Sequence, residues 1–218
     1  MVTAGQYQEF LKAKAGSTAG QAKECAWNTS FAPTAIPFEG NPASGCPNFE
    51  KWQPVAHPEW AMPCTDYCDA TAYCAWAGKR LCGYLAGAAP YPSFIDNQEG
   101  VTTDDPARME LTVACSQGGK TAYHYGNTFD PPSGADIAMD PGNVVKNAGT
   151  IPPFDQISGF NGPLTEWEGG CDFTTPGCAS RGTSYSADPK IDAPLEACAR
   201  RYGLDWKAQM AFFRCCTD

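Results

Sequence analysis

The sequence predicts one loop-rich α+β domain, residues 1–218, held together by disulfides. Three sets of counts carry that reading. Glycine (22) and proline (19) together make up close to a fifth of the 218 residues, which favours long ordered loops over regular structure. Hydrophobic residues reach 43% and charged residues only 18%, enough for a core and too little charge for a disordered chain. Twelve cysteines accompany only two histidines. There is no Cys-x-x-Cys pair, and His57 and His124 are too far apart to complete a zinc site. An even number of cysteines scattered through a Gly/Pro-rich chain reads as a disulfide framework formed in an oxidising compartment, so the chain is expected to be secreted or periplasmic.

The elements follow in chain order. Tyr7, Phe10 and Leu11 place an apolar face on a first helix that ends at Gly16. Residues 17–62 read as loop, with Cys25 and Cys46 inside it. The stretch "ATAYCAWAGKRLCG" (Ala70–Gly83) opens with a second helix over Ala70–Ala77, with Ala72, Trp76 and Lys79 at helical spacing. Asp66 or Asp69 can cap its start, and Gly78 marks its end. Gly83–Pro106 is small, polar and turn-forming, and is expected to be a surface insertion. Ala107–Gly119 reads as a third helix, broken by two glycines, and Tyr123–Asn143 as irregular. Leu164–Cys171 and Ala211–Asp218 are apolar or aromatic and bounded by turns, which predicts strands. No repeat or linker divides the chain.

Net charge excludes some partners. At −9 the chain is a poor match for the phosphates of nucleic acid or for an anionic membrane surface. No apolar run approaches the ~20 residues that span a bilayer. Residues 1–14 lack the zones of a signal peptide and look like the start of a domain taken from a longer precursor.

Four stretches then line up: "VTAGQYQEFL", "ATAYCAWAGKRL", "TEWEGGC" followed by "RGTSY", and a closing "FFRCC". In that order they resemble the formylglycine-generating enzymes and sulfatase-modifying factors, in the cysteine-rich form of secreted bacterial members. The resemblance implies a variant of the C-type lectin fold with little regular structure. It also implies two disulfides, Cys74–Cys215 and Cys115–Cys198. Beyond these, Cys171–Cys178 would close a turn containing Pro176 and Gly177, and Cys25–Cys46 could staple the first loop. Cys64, Cys68, Cys82 and Cys216 remain, and four cysteines have no unique pairing.

The family's enzymes oxidise a sulfatase cysteine to formylglycine with oxygen and a copper(I) ion held by two thiolates, ligands that suit a soft ion. In "RGTSYSADPKIDAP" Ser184 and Tyr185 match the family, but the two ligand positions fall on Ala187 and Asp192. There is no cysteine between Cys178 and Cys198. Copper is therefore not expected. The family's structural calcium is the second inheritance. "GADI" offers Asp136, the Ile137 carbonyl and Asp140 as hard oxygen ligands. At the second calcium position Glu166 is retained, while Gly159 and Pro163 replace the family's Asp and Asn.

Bland roles suit several other residues. Arg80 and Glu110 read as a buried ion pair tying helix to helix, and Trp167 and Arg181 as framing the core. No serine-bearing motif flanks either histidine. The carboxylate pairs Asp104–Asp105 and Glu166/Glu168 do not have the placement of a glycosidase pair. Aromatics in "AYHYGNTF" are candidates for a recognition surface. Two functions compete. The first is a non-catalytic binding or structural domain that recognises a protein or a glycan. The second is an active formylglycine-generating oxidase with a displaced copper site that uses Cys215 and Cys216.

Overall fold

The computed structural model describes residues 1–33, 52–85, 102–103, 108–129, 151–157, 165–172, 177–181, 198, 200–204, 207 and 211–218. Helix α1 (Ala4–Lys14) starts where Thr3 and Gln6 form a capping box, each side chain accepting the other's backbone N–H. It buries Tyr7 and Phe10, and it stops as Ala15 and Gly16 turn to positive φ (48° and 82°).

Helix α2 (Tyr67–Trp76) begins three residues earlier than the apolar pattern predicts, because Asp66 caps it and Asp69 completes a second capping box. Gly78 at φ 70° ends it, and the Lys79 N–H then reaches back to the Cys74 carbonyl at 2.9 Å. This is the left-handed stop that glycine permits at low cost. Helix α3 (Glu110–Cys115) is much shorter than the 107–119 expected, since Gln117 and Gly118 already sit at positive φ and Met109 pairs with Tyr84 outside the helix.

The strands are β1 (Arg80–Leu81), β2 (Thr102–Thr103), β3 (Glu166–Asp172), β4 (Gly177–Arg181), β5 (Arg200–Leu204), β6 (Phe212–Phe213) and β7 (Cys215–Cys216). They form a five-stranded sheet in the order β2-β5-β4-β3-β6 and a two-stranded sheet of β1 with β7. Only the β3–β6 pairing is parallel. The predicted strand over 211–218 is in fact two. Phe212 and Phe213 pair with Glu166 and Trp167, whereas Cys215 and Cys216 pair with Leu81 and Arg80. Arg214 marks the break, with its side chain held by Glu166. The stretch expected to be a surface insertion also contributes to the framework, through β2 and through the Tyr84–Met109 bridge.

One aromatic core joins the two helices to the sheet. Tyr7 and Tyr73 stack at 5.6 Å, Phe213 meets both edge-on, and Trp167 is fully buried. Trp167 spends its indole N–H on the Thr65 carbonyl at 2.9 Å, so its burial leaves no orphaned donor. β3 bulges between Trp167 and Cys171, and there Gly169 donates to the Cys82 carbonyl at 2.6 Å. The approach is so close that a Cβ on Gly83 would lie 2.5 Å from the Gly169 oxygen.

Five disulfides staple the described residues: Cys25–Cys68, Cys74–Cys215, Cys82–Cys216, Cys115–Cys198 and Cys171–Cys178. Cys74–Cys215 and Cys115–Cys198 are the pairs that the family resemblance implies. Cys25 is the correction: it bonds Cys68 and not Cys46, which lies outside the described residues. A 3-10 turn over Lys23–Cys25 and an Asn28–Asp69 hydrogen bond of 2.8 Å bring this loop onto the first turn of α2. Closing loops of 141, 134 and 83 residues is worth on the order of 4–5 kcal/mol each in a chain-entropy account. The chain is thus a disulfide-rich α+β protein with little regular structure.

Candidate functional site

Arg181 ends β4 and opens the "RGTSY" stretch. It is buried, and its guanidinium is held from three directions. Nε donates to Glu168 Oε1 at 2.9 Å, one terminal nitrogen donates to Thr112 Oγ1 at 2.7 Å, and the other to the Cys198 carbonyl. Cys198 is in turn bonded to Cys115 of α3. Residues 182–197 are therefore bracketed by two anchors, both fastened to α3. Ser184, Ala187 and Asp192 fall inside that bracket and lie outside the described residues.

A thiolate copper centre needs free sulfur, and the donor set does not supply it. All eleven cysteines among the described residues are disulfide-bonded, Cys215 and Cys216 included. A bonded cysteine offers no thiolate. The two expected ligand positions carry a methyl group and a single carboxylate, neither of which suits Cu(I). These residues do not fit the copper ion of the family's enzymes.

Glu166, which the resemblance places at a calcium position, is buried beside Arg214, whose Nε donates to Glu166 Oε1 at 2.6 Å. One oxygen of that carboxylate is thus the partner of a guanidinium. Asp136, Ile137 and Asp140 lie outside the described residues. Glu166 and Glu168 each face their own arginine.

Arg80 and Glu110 do pair, as a fork with two bonds of 2.7 and 2.8 Å. The pair ties strand β1 to helix α3 and is only half-buried, where the sequence reading had a buried helix-to-helix link. Glu110 also accepts from the Gly83 N–H at 2.8 Å, and Arg80 reaches Asp218 at 2.7 Å. The bonds to Glu110 first, and to Asp218 second, raise the Arg80 pKa.

Glu110 also borders a cavity of about 540 Å3. The cavity sits at the C-terminal end of α2, against one side of α3, the 3-10 turn at Phe154–Gln156, and β7. Tyr73, Leu85, Val113, Phe154 and Ile157 give it apolar walls, and Lys79 stands at its edge. Sequence periodicity groups Lys79 with the helix; the Gly78 stop places it just beyond. Phe154 and Ile157 carry no motif, and only the folded chain brings them here.

At the other end of α2 two carboxyl groups are fully buried. Asp66 Oδ1 accepts from the Asp69 N–H at 2.8 Å, while Asp69 accepts from Asn28 and from the Asp66 N–H. Asp66 Oδ2 has no hydrogen-bond partner. Burial first, and then the Asp69 charge, push the Asp66 carboxyl well above the ordinary range. Burial raises Asp69 to about 7 against the pull of its hydrogen bonds from Asn28 and Asp66. Burial, followed by these two charges, also raises the Tyr7 phenol.

Residues 1–145 match the sulfatase-modifying factor enzyme 1-like domain, and the chain belongs to that family. No curated protein matches the chain. Among the described residues no helix is long and apolar enough to cross a membrane.

Proposed function

We propose that this chain is a non-catalytic member of the sulfatase-modifying factor family, a binding or structural domain that recognises a protein or a glycan outside the cytoplasm. One observation carries the reading: the copper-ligand positions are Ala187 and Asp192, and every described cysteine is bonded to another. A fold specifies a scaffold and leaves chemistry to the site grafted on it. Here the buried ion pairs Arg181–Glu168 and Arg214–Glu166 brace the scaffold, and no described cysteine is left as a thiolate. Five disulfides suit an extracellular or periplasmic setting. Calcium at the Asp136 loop belongs to the same proposal and rests on the sequence match alone.

The competing oxidase reading requires Cys215 or Cys216 as thiolates, and these are bonded to Cys74 and Cys82. The test is to load the domain with Cu(I), add a Cys-x-Pro-x-Arg peptide under oxygen, and read the product by mass spectrometry. The expected result is unchanged peptide and no tight copper binding. Aldehyde formation that vanishes on Cys215→Ser or Cys216→Ser replacement would overturn the proposal in favour of a displaced centre.

A further inference from the structure

We propose that the cavity at the C-terminal end of α2 binds a small amphipathic carboxylate, an alkyl or aryl chain bearing one acid group. The inference goes beyond the binding-domain reading and does not depend on it, since an oxidase could carry the same cavity. Volume argues for a small molecule: about 540 Å3 lies within the range of pockets that enclose drug-sized ligands and exceeds what one or two peptide side chains fill. The walls argue for an apolar body. Tyr73, Leu85, Val113, Phe154 and Ile157 offer aromatic and branched aliphatic surface from four separate parts of the chain.

Charge argues for an acid at one end. Glu110 borders the cavity, but both of its oxygens are taken by the Arg80 fork, and one also by the Gly83 N–H. Arg214 borders it too and is bound to Glu166. Lys79 differs: it is exposed, and among the described residues it has no ion-pair partner. Its backbone is fixed by the bond to the Cys74 carbonyl, which holds the ammonium's tether at the cavity edge. The Met1 amino group also borders the cavity, but burial first, and then the Arg214 charge, lower its pKa to about 5, so it is uncharged at neutral pH. With the Glu110 carboxylate already neutralised, the tethered Lys79 ammonium is left to select a carboxylate over an amine. A neutral sugar would leave the apolar walls poorly matched.

The experiment compares sodium decanoate with decan-1-ol by calorimetric titration of the intact, oxidised domain. Decanoate is expected to bind one to one and more tightly than the alcohol. Lys79→Ala should weaken decanoate roughly tenfold, the loss of one charge-assisted contact, and leave the alcohol unchanged. Val113→Trp should fill the cavity and abolish both. Should that variant not fold, contacts from the decanoate chain to the Val113 and Ile157 methyl groups, read by NMR on the unsubstituted domain, decide the location. The proposal falls if decanoate does not bind or is insensitive to Lys79→Ala. It also falls if the methyl groups show no contact, or if the cavity takes an acidic apolar peptide such as Glu-Leu-Phe and refuses decanoate.

Discussion

The buried carboxyl pair at the start of α2 makes the stability of this protein fall as pH rises from acid to neutral. In the unfolded chain Asp69 ionises near its ordinary value of 3.8; in the folded chain burial moves it to about 7. Between those values the folded state holds a proton that the unfolded state has released. The stabilising contribution is therefore complete below about 4 and is lost as pH climbs through about 7. The full difference of roughly 3 pH units corresponds to about 4 kcal/mol. From pH 5 to pH 8 the loss is about 2–3 kcal/mol, which for a domain of this length lowers the melting temperature by roughly 5–10 °C. Asp66, raised by burial and by its neighbour, acts in the same direction. Replacing Asp66 by Asn keeps a good helix cap and removes one charge. Thermal melts followed by near-UV circular dichroism, with disulfides intact, should show the parent losing stability from pH 5 to pH 8. Asp66→Asn should melt higher than the parent at pH 8 and alongside it at pH 4. A parent that gains stability toward pH 8, or a variant with an unchanged pH profile, would refute the raised proton affinity of this buried pair.

Two further outcomes can be checked on the same material. Gly83→Ala should destabilise by about 2–4 kcal/mol in a denaturant titration, because its Cβ would meet the Gly169 backbone at 2.5 Å and no side chain can yield there. Replacing Cys74 and Cys215 together by serine should cost about 3–5 kcal/mol in the same titration by opening a 141-residue loop, with the other bridges still found by peptide mapping.

The sequence exposed those elements whose ends are chemically marked. α1 and α2 were readable because aromatic residues fall at helical spacing and because Asp66 and Gly78 punctuate α2. α3 was overread: the glycines at 118 and 119 were visible, but the turn at Gln117 depends on its buried amide, which bonds the His124 and Ile151 backbones. β4 and β5 went unpredicted because "GCASR" and "RRYGL" show no alternation; their place is fixed by pairing with each other and, for β4, with β3. Local pattern cannot supply such long-range register. The first loop's bridge was misread for the same reason, since Cys46 is the nearer cysteine in sequence while Asn28 and Asp69 bring Cys25 to Cys68. The cavity was invisible. Its walls come from segments that share no motif and meet only in three dimensions.

The adjacent pair Cys215–Cys216 sets a timetable for the protein's birth. Cys74 and Cys82 emerge from the ribosome 141 and 134 residues ahead of their partners. At ordinary synthesis rates that interval is roughly 7–28 s, long compared with the closing of short loops. Throughout it, two thiols eight positions apart travel together with Cys64 and Cys68 just upstream, and any bond among them must later be undone. Because residues 215 and 216 bond different partners, a one-residue slip in the last strand would bring one of them to the other's partner and leave the second bridge without a sulfur. Any such early bond is exchanged only after most of the chain has been made, and a truncation upstream of Phe213 would strand Cys74 and Cys82, since every other cysteine among the described residues is already bonded.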